Sequence, residues 1–143
     1  MTAKEYLKQA YRLHERIDAH IAELEELRDM STRIQGVSFE EHFSSTRNTD
    51  TPFVKLIGKI MDMEARINSE IDRLVDLKAE MDMVIEQVED IEERLLLRYR
   101  YLDNMTWDDI ATRLSVSSRT VHRIHSAALQ NFVVPEEGWH TLP

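Results

Sequence analysis

Residues 106–130 read Thr-Trp-Asp-Asp-Ile-Ala-Thr-Arg-Leu-Ser-Val-Ser-Ser-Arg-Thr-Val-His-Arg-Ile-His-Ser-Ala-Ala-Leu-Gln. This stretch predicts two short helices joined by a tight turn. Thr106 is a good N-cap, able to accept one of the backbone N–H groups a helix start leaves unpaired, and Asp109 stands three residues on, as in a capping box. Trp107, Ile110, Ala111 and Leu114 fall on one helical face. Ser115-Val116-Ser117 interrupts that spacing, and Ser117 caps a second helix on which Val121, Ile124, Ala128 and Leu129 turn inward. The outward face of that helix is assigned Ser118, Arg119, His122, Arg123, His125 and Ser126, and no Asp or Glu occurs from 110 to 135. The pattern is a helix-turn-helix with a cationic second helix.

The same run, Thr-Trp-Asp-Asp-Ile-Ala through Val-Ser to Thr-Val, Ile-His and Ala-Leu, resembles the helix-turn-helix of region 4 of bacterial sigma factors. It is closer still to the sigma-like domain of small phage and prophage regulators of late transcription, of the ArpU and RinA type. Tyr6-Leu7, Tyr11-Arg12-Leu13, Arg16-Ile17 and residues 71–78 are also similar to the long helical part of those proteins, and the Arg-Leu-Arg-Tyr-like segment at 94–101 to the approach to the sigma motif. The specific part of the resemblance is confined to about 94–130. It implies a sequence-specific, double-stranded-DNA-binding transcriptional regulator, a late-gene activator, acting in the cytoplasm of a bacterial host cell. Ser118 and Arg119 stand where most sigma factors carry Arg and Glu, so a standard promoter −35 element is not the expected target.

Outward from this motif, charge is unevenly spread. The chain of 143 residues carries a net charge of −9, which taken alone argues against a nucleic-acid partner. Residues 1–93 hold 12 Lys and Arg against 22 Asp and Glu, whereas 94–131 hold six Arg against three Asp. An acidic body with a basic head is compatible with binding DNA through the head alone, with few phosphate contacts and a modest affinity per protomer. With 31% charged residues, only three Gly and three Pro, the composition favours helix. No Cys is present, which excludes disulfides and Cys-ligated zinc and fits a reducing compartment. No apolar run approaches the roughly 18 residues that span a bilayer, so no membrane partner is expected.

The fold expected is all-α: a long antiparallel helical hairpin, coiled-coil-like, followed by the small helix-turn-helix. Residues 1–93 form the scaffold, 94–132 the DNA-binding head and 133–143 a tail. The first helix spans about Thr2 to Ile34, with Thr2 and Glu5 as a capping box and Leu13, Ile17, Ile21, Leu24 and Leu27 as its stripe. Gln35 to Pro52 reads as a flexible loop, part of which Val37, Phe39 and Phe43 dock as a short helix. A second helix begins at Thr51-Pro52 and runs unbroken to about Tyr101, with Ile60, Ile67, Leu74, Met81, Val88 and Leu95 recurring every seven residues and Met63, Ile71, Leu77 and Ile91 between them. The shorter first helix leaves apolar surface uncovered near 75–95, which predicts a homodimer and paired half-sites. Phe132 is expected to close the head's core, and Trp139 to dock.

Carried over from the sigma-like pattern, the base-reading residues are Ser118, Arg119, His122 and Arg123. Thr106, Trp107, Arg113, Ser117, Thr120 and Ser126 are the phosphate candidates, by hydroxyl, charge or helix N-terminus. Arg94, Arg98 and Arg100 are assigned equally to phosphate and to the acidic scaffold. His14 and His20, six apart, lack a helical ligand spacing, and the His122/His125 pair is assigned to the surface, so no metal and no cofactor is expected. No nucleophile motif, Gly-rich phosphate loop or catalytic cluster is visible, and an enzyme is not expected. Two other functions fit the same sequence: a DNA-packaging oligomer like a small terminase subunit, and a sigma-like head that binds RNA polymerase or another regulator instead of DNA.

Overall fold

The computed structural model describes residues 1–41 and 52–136, and every regular element among them is helical. In chain order these are α1 (Ala3–Leu7), α2 (Gln9–Glu41), α3 (Pro52–Ile85), α4 (Ile91–Leu97), a π-helical turn (Arg98–Leu102), α5 (Trp107–Leu114) and α6 (Ser118–Asn131). The all-α class expected from the sequence is the one observed. No helix among the described residues is long and apolar enough to cross a membrane.

The chain divides into two compact units. One is Glu15–Asp72, and the other joins Met1–His14 to the chain from Arg73 onward. In the Glu15–Asp72 unit, α2 and α3 run antiparallel. His20 Nδ1 lies 2.7 Å from Glu70 Oε1 and Arg28 donates to Glu64 at 2.8 Å, so going forward along α2 means going back along α3. Leu24 packs with Leu56, Ile60, Met63 and Ile67, which are heptad positions or their neighbours. Ile21 and Ile71, assigned to the buried stripes, are instead 37% and 40% exposed. A stripe spaced for two-sided packing meets only one neighbour there. α2 also outlasts its expected end: it continues through Gly36 to Glu41, because one glycine costs about 1 kcal/mol and no proline follows to stop the helix. Phe43 and the rest of the proposed loop from 42 to 51 lie outside the described residues.

The other unit takes in both ends of the chain, whereas the sequence placed the head at 94–132 alone. Thr2 and Glu5 form the full capping box, with Glu5 N–H donating to Thr2 Oγ1 at 3.2 Å and Thr2 N–H to Glu5 Oε2 at 2.9 Å. The first helix is interrupted at Lys8, and α1 packs its fully buried Tyr6 and Leu7 into the head. α6 is the centre: α1, α4 and α5 all pack against it. Its Val121 and Ala128 are completely buried, with Leu96, Leu97 and Ile110 facing the same core. Phe132 closes that core as expected, with its ring 5.8 Å from that of Tyr6. Burial, then the charge of Glu80, pushes the Tyr6 hydroxyl well above its ordinary pKa.

The second helix is not continuous to Tyr101. It ends at Ile85, and α4 starts afresh at Ile91. Asp90 caps α4 by accepting from Glu93 N–H at 3.0 Å, and the Arg94 guanidinium takes the Val88 carbonyl released by the break, at 2.9 and 2.7 Å. Val88 remains buried, so the seven-residue repeat predicts burial correctly where it fails to predict helix. The acid-rich link Gln87-Val88-Glu89-Asp90 supplies its own cap, and local side-chain bonds then compete with the helix.

Candidate nucleic-acid interface

α5 starts as the sequence predicts, with Thr106 Oγ1 accepting from Asp109 N–H at 3.2 Å. It ends at Ser115, which adopts the left-handed conformation (φ 57°). Ser115 N–H bonds to Thr112 O and Val116 N–H to Ala111 O, the paired bonds of a Schellman turn. Ser117 then caps α6, accepting from Thr120 N–H at 3.2 Å. Two caps and one left-handed residue therefore set the relation of α5 to α6.

With α6 buried along Val121, Ile124 and Ala128, its free face carries Ser118, Arg119, His122 and Arg123, all exposed. The four base-reading candidates thus lie together on one side of a helix supported from behind by three others. The phosphate candidates are less uniform. Ser126 and Arg113 are exposed, the latter with its guanidinium 5.4 Å from the Tyr99 ring. Thr106 and Ser117 are spent first on capping, and Ser117 Oγ also donates to Thr120 Oγ1 at 2.9 Å. Trp107 is half-buried rather than presented to solvent.

His125 does not belong to the outward face. It is only 9% exposed, its Nε2 lies 2.7 Å from the Tyr101 hydroxyl, and its ring stands edge-on to Trp107 at 4.7 Å. Burial first, then the charges of Lys4 and Arg100, hold its pKa down at about 4. Burial pushes the Tyr101 pKa up and keeps its hydroxyl protonated, and the neutral imidazole shares one hydrogen bond with it. Residue type assigns His125 to the outward face, but a neutral imidazole with a hydroxyl partner packs as core. His122, in contrast, is exposed, with its ring 5.0 Å from Trp107.

The π-helical turn explains how the approach segment feeds this site. Asp103 N–H reaches back to Arg98 O at 3.1 Å, one residue wider than α-helix, and Met105 N–H closes the turn on Tyr99 O at 2.9 Å, two residues wider. The inserted residue turns Tyr101 inward to His125. Arg98 goes to Asp82, with Glu86 at 3.6 Å, and so pairs with α3. Arg94 is taken by backbone carbonyls, leaving Arg100 as the arginine of this segment at the interface. Its Nη1 donates to the Met105 carbonyl at 3.0 Å, and its guanidinium lies 4.3 Å from the Trp107 ring centre. Beside them opens a cavity of about 380 Å³ lined by Lys4, Lys8, Arg100, Asn104, Trp107 and His125 among others. Lys4 and Lys8 were not among the expected site residues. Their four-residue spacing on a helix was legible, but nothing in the sequence showed which unit that helix joins.

Fold and site define a helical protein that presents a cationic helix-turn-helix. The chain belongs to the family described as "Protein of unknown function (DUF1492)", whose model matches residues 31–132. It is also similar to the HTH-type transcriptional activator RhaS of Escherichia fergusonii, with 28% identity over 113 residues, 79% of this chain. The match spans 35% of that relative, so the chain corresponds to about a third of its length. No solved structure matches the chain.

Proposed function

We propose that this protein is a sequence-specific DNA-binding transcriptional regulator that reads the major groove with α6. The observation that carries this is the free face of α6, where Ser118, Arg119, His122 and Arg123 stand exposed on a helix with no carboxylate while α1, α4 and α5 hold its other side. A helix so held presents donors without paying for its own ordering, and Arg119 or Arg123 pairing bidentately with guanine contributes about 1–3 kcal/mol of discrimination. The similarity to an HTH-type transcriptional activator supports the same role. The sigma-like sequence pattern supports a place in phage or prophage late transcription, with RNA polymerase or another regulator as the further partner. The protein acts by binding alone, without catalysing a reaction.

The proposed regulator is a homodimer. Val75, Met83 and Ile91, all in the unit that contains α6, are each 60% exposed or more, apolar side chains that a second copy would cover. The test is selection of binding sites from random duplexes, repeated with Arg119→Ala and Arg123→Ala. Each variant is expected to lose definition at a different base position, and two-fold related half-sites are expected for the dimer. Failure to enrich any sequence at low salt would refute the role.

A further inference from the structure

The cavity beside Trp107 gathers groups from distant parts of the chain. Lys4 and Lys8 come from the N-terminal end and Arg100 from the π-helical turn, and among the described residues no carboxylate lines it. Lys4 and Lys8 lie one helical turn apart, so their side chains stand side by side. Neither is in an ion pair among the described residues. Arg100 cannot swing freely, because the Met105 carbonyl and the Trp107 ring hold its guanidinium in one orientation. The pKa of neighbouring His125 is lowered first by burial and then by the charges of Lys4, Arg100 and Lys8, in keeping with this convergence. Like charges around one concavity repel, and an anion placed among them removes that repulsion.

We propose that this cavity binds a phosphate group, with Lys4 and Lys8 supplying charge and Arg100 an oriented guanidinium. Resting on the DNA-reading role above, its source is a backbone phosphate of the duplex engaged by α6. Continuity favours that source: Trp107 lines the cavity and at the same time touches His122 on the exposed face of α6. The N-terminal helix, counted by sequence with the acidic body, thereby becomes part of the DNA-binding surface. It carries no base information, so it positions the duplex instead of reading it.

The experiment compares the full chain with a Lys4→Ala/Lys8→Ala double variant, using Arg123→Ala as control. Alanine is a good helix former, and neither lysine is buried, so the double variant keeps the fold. Duplex affinity is measured across a salt series. The double variant is expected to weaken selected and unrelated duplexes by the same factor and to lower the slope of log affinity against log salt by about 1. Arg123→Ala should instead flatten base preference. In a second arm, inorganic phosphate and AMP are titrated against Trp107 fluorescence in a Trp139→Phe background. An unchanged salt slope with saturable phosphate binding that the double variant loses would overturn the duplex as source and keep the phosphate site. An unchanged slope with no phosphate binding would overturn the proposal while Arg123→Ala still reports on DNA reading. If no form of the protein binds any duplex, the DNA-reading role fails by itself. The phosphate titration then decides the cavity: loss of binding in the double variant keeps it, and no binding overturns it.

Discussion

His125 ties the stability of the head to pH. In the fold it is buried, hydrogen-bonded to Tyr101 and held at a pKa of about 4, against 6.5 for a free histidine. As pH falls below 6.5 the unfolded chain takes up this proton while the folded chain refuses it. The stability is therefore present in full above 6.5 and is lost progressively as pH falls towards 4. At roughly 1.4 kcal/mol per pH unit, the loss between about pH 7 and pH 5 is about 2 kcal/mol, reaching about 3 kcal/mol near pH 4. That is a large share of the stability of a small domain. The assay is urea unfolding followed by circular dichroism at several pH values, for the natural protein and for His125→Gln, whose amide can still hydrogen-bond to Tyr101 as donor or acceptor. The natural protein should lose stability steeply below pH 6.5 and the variant should stay nearly flat to pH 5. Parallel curves would refute the assignment of this proton to His125.

Other expectations follow from single positions. Gly58 sits inside α3 with open space where a Cβ would be, so Gly58→Ala should raise stability by about 0.5–1 kcal/mol in the same unfolding assay. Ser117→Ala removes the α6 cap and should cost about 1 kcal/mol of stability; it should also weaken duplex binding through frayed Ser118 and Arg119, measurable by titration. Met81 is fully buried, and Met81→Ala should cost about 2–5 kcal/mol and lower the urea midpoint accordingly.

Much of the local structure could be read from the chain. Thr2, Thr106 and Ser117 cap where they were expected to, and Pro52 opens α3. The inward residues of α5 and α6 follow their 3.6-residue spacing closely. These features depend on neighbours three or four residues away, which the sequence lists in order. The continuous helix to Tyr101 was not obtained, because Asp90 and Arg94 make better bonds across a break than the helix offers them. The base-reading candidates are exposed together because an amphipathic helix exposes whatever its buried stripe leaves over.

The linear sequence thus determined the helical class, the caps, the turn and the cationic face of α6, all consequences of short-range periodicity and side-chain chemistry. Tertiary structure alone decided that Tyr6 packs on Phe132, that His125 is a neutral core residue bonded to Tyr101, and that Lys4 and Lys8 meet Arg100 around one cavity. Each of these joins residues separated by 24 or more positions. Such pairings depend on which apolar faces find one another, and a charged or titratable side chain takes its state from that burial, not from its place in the chain.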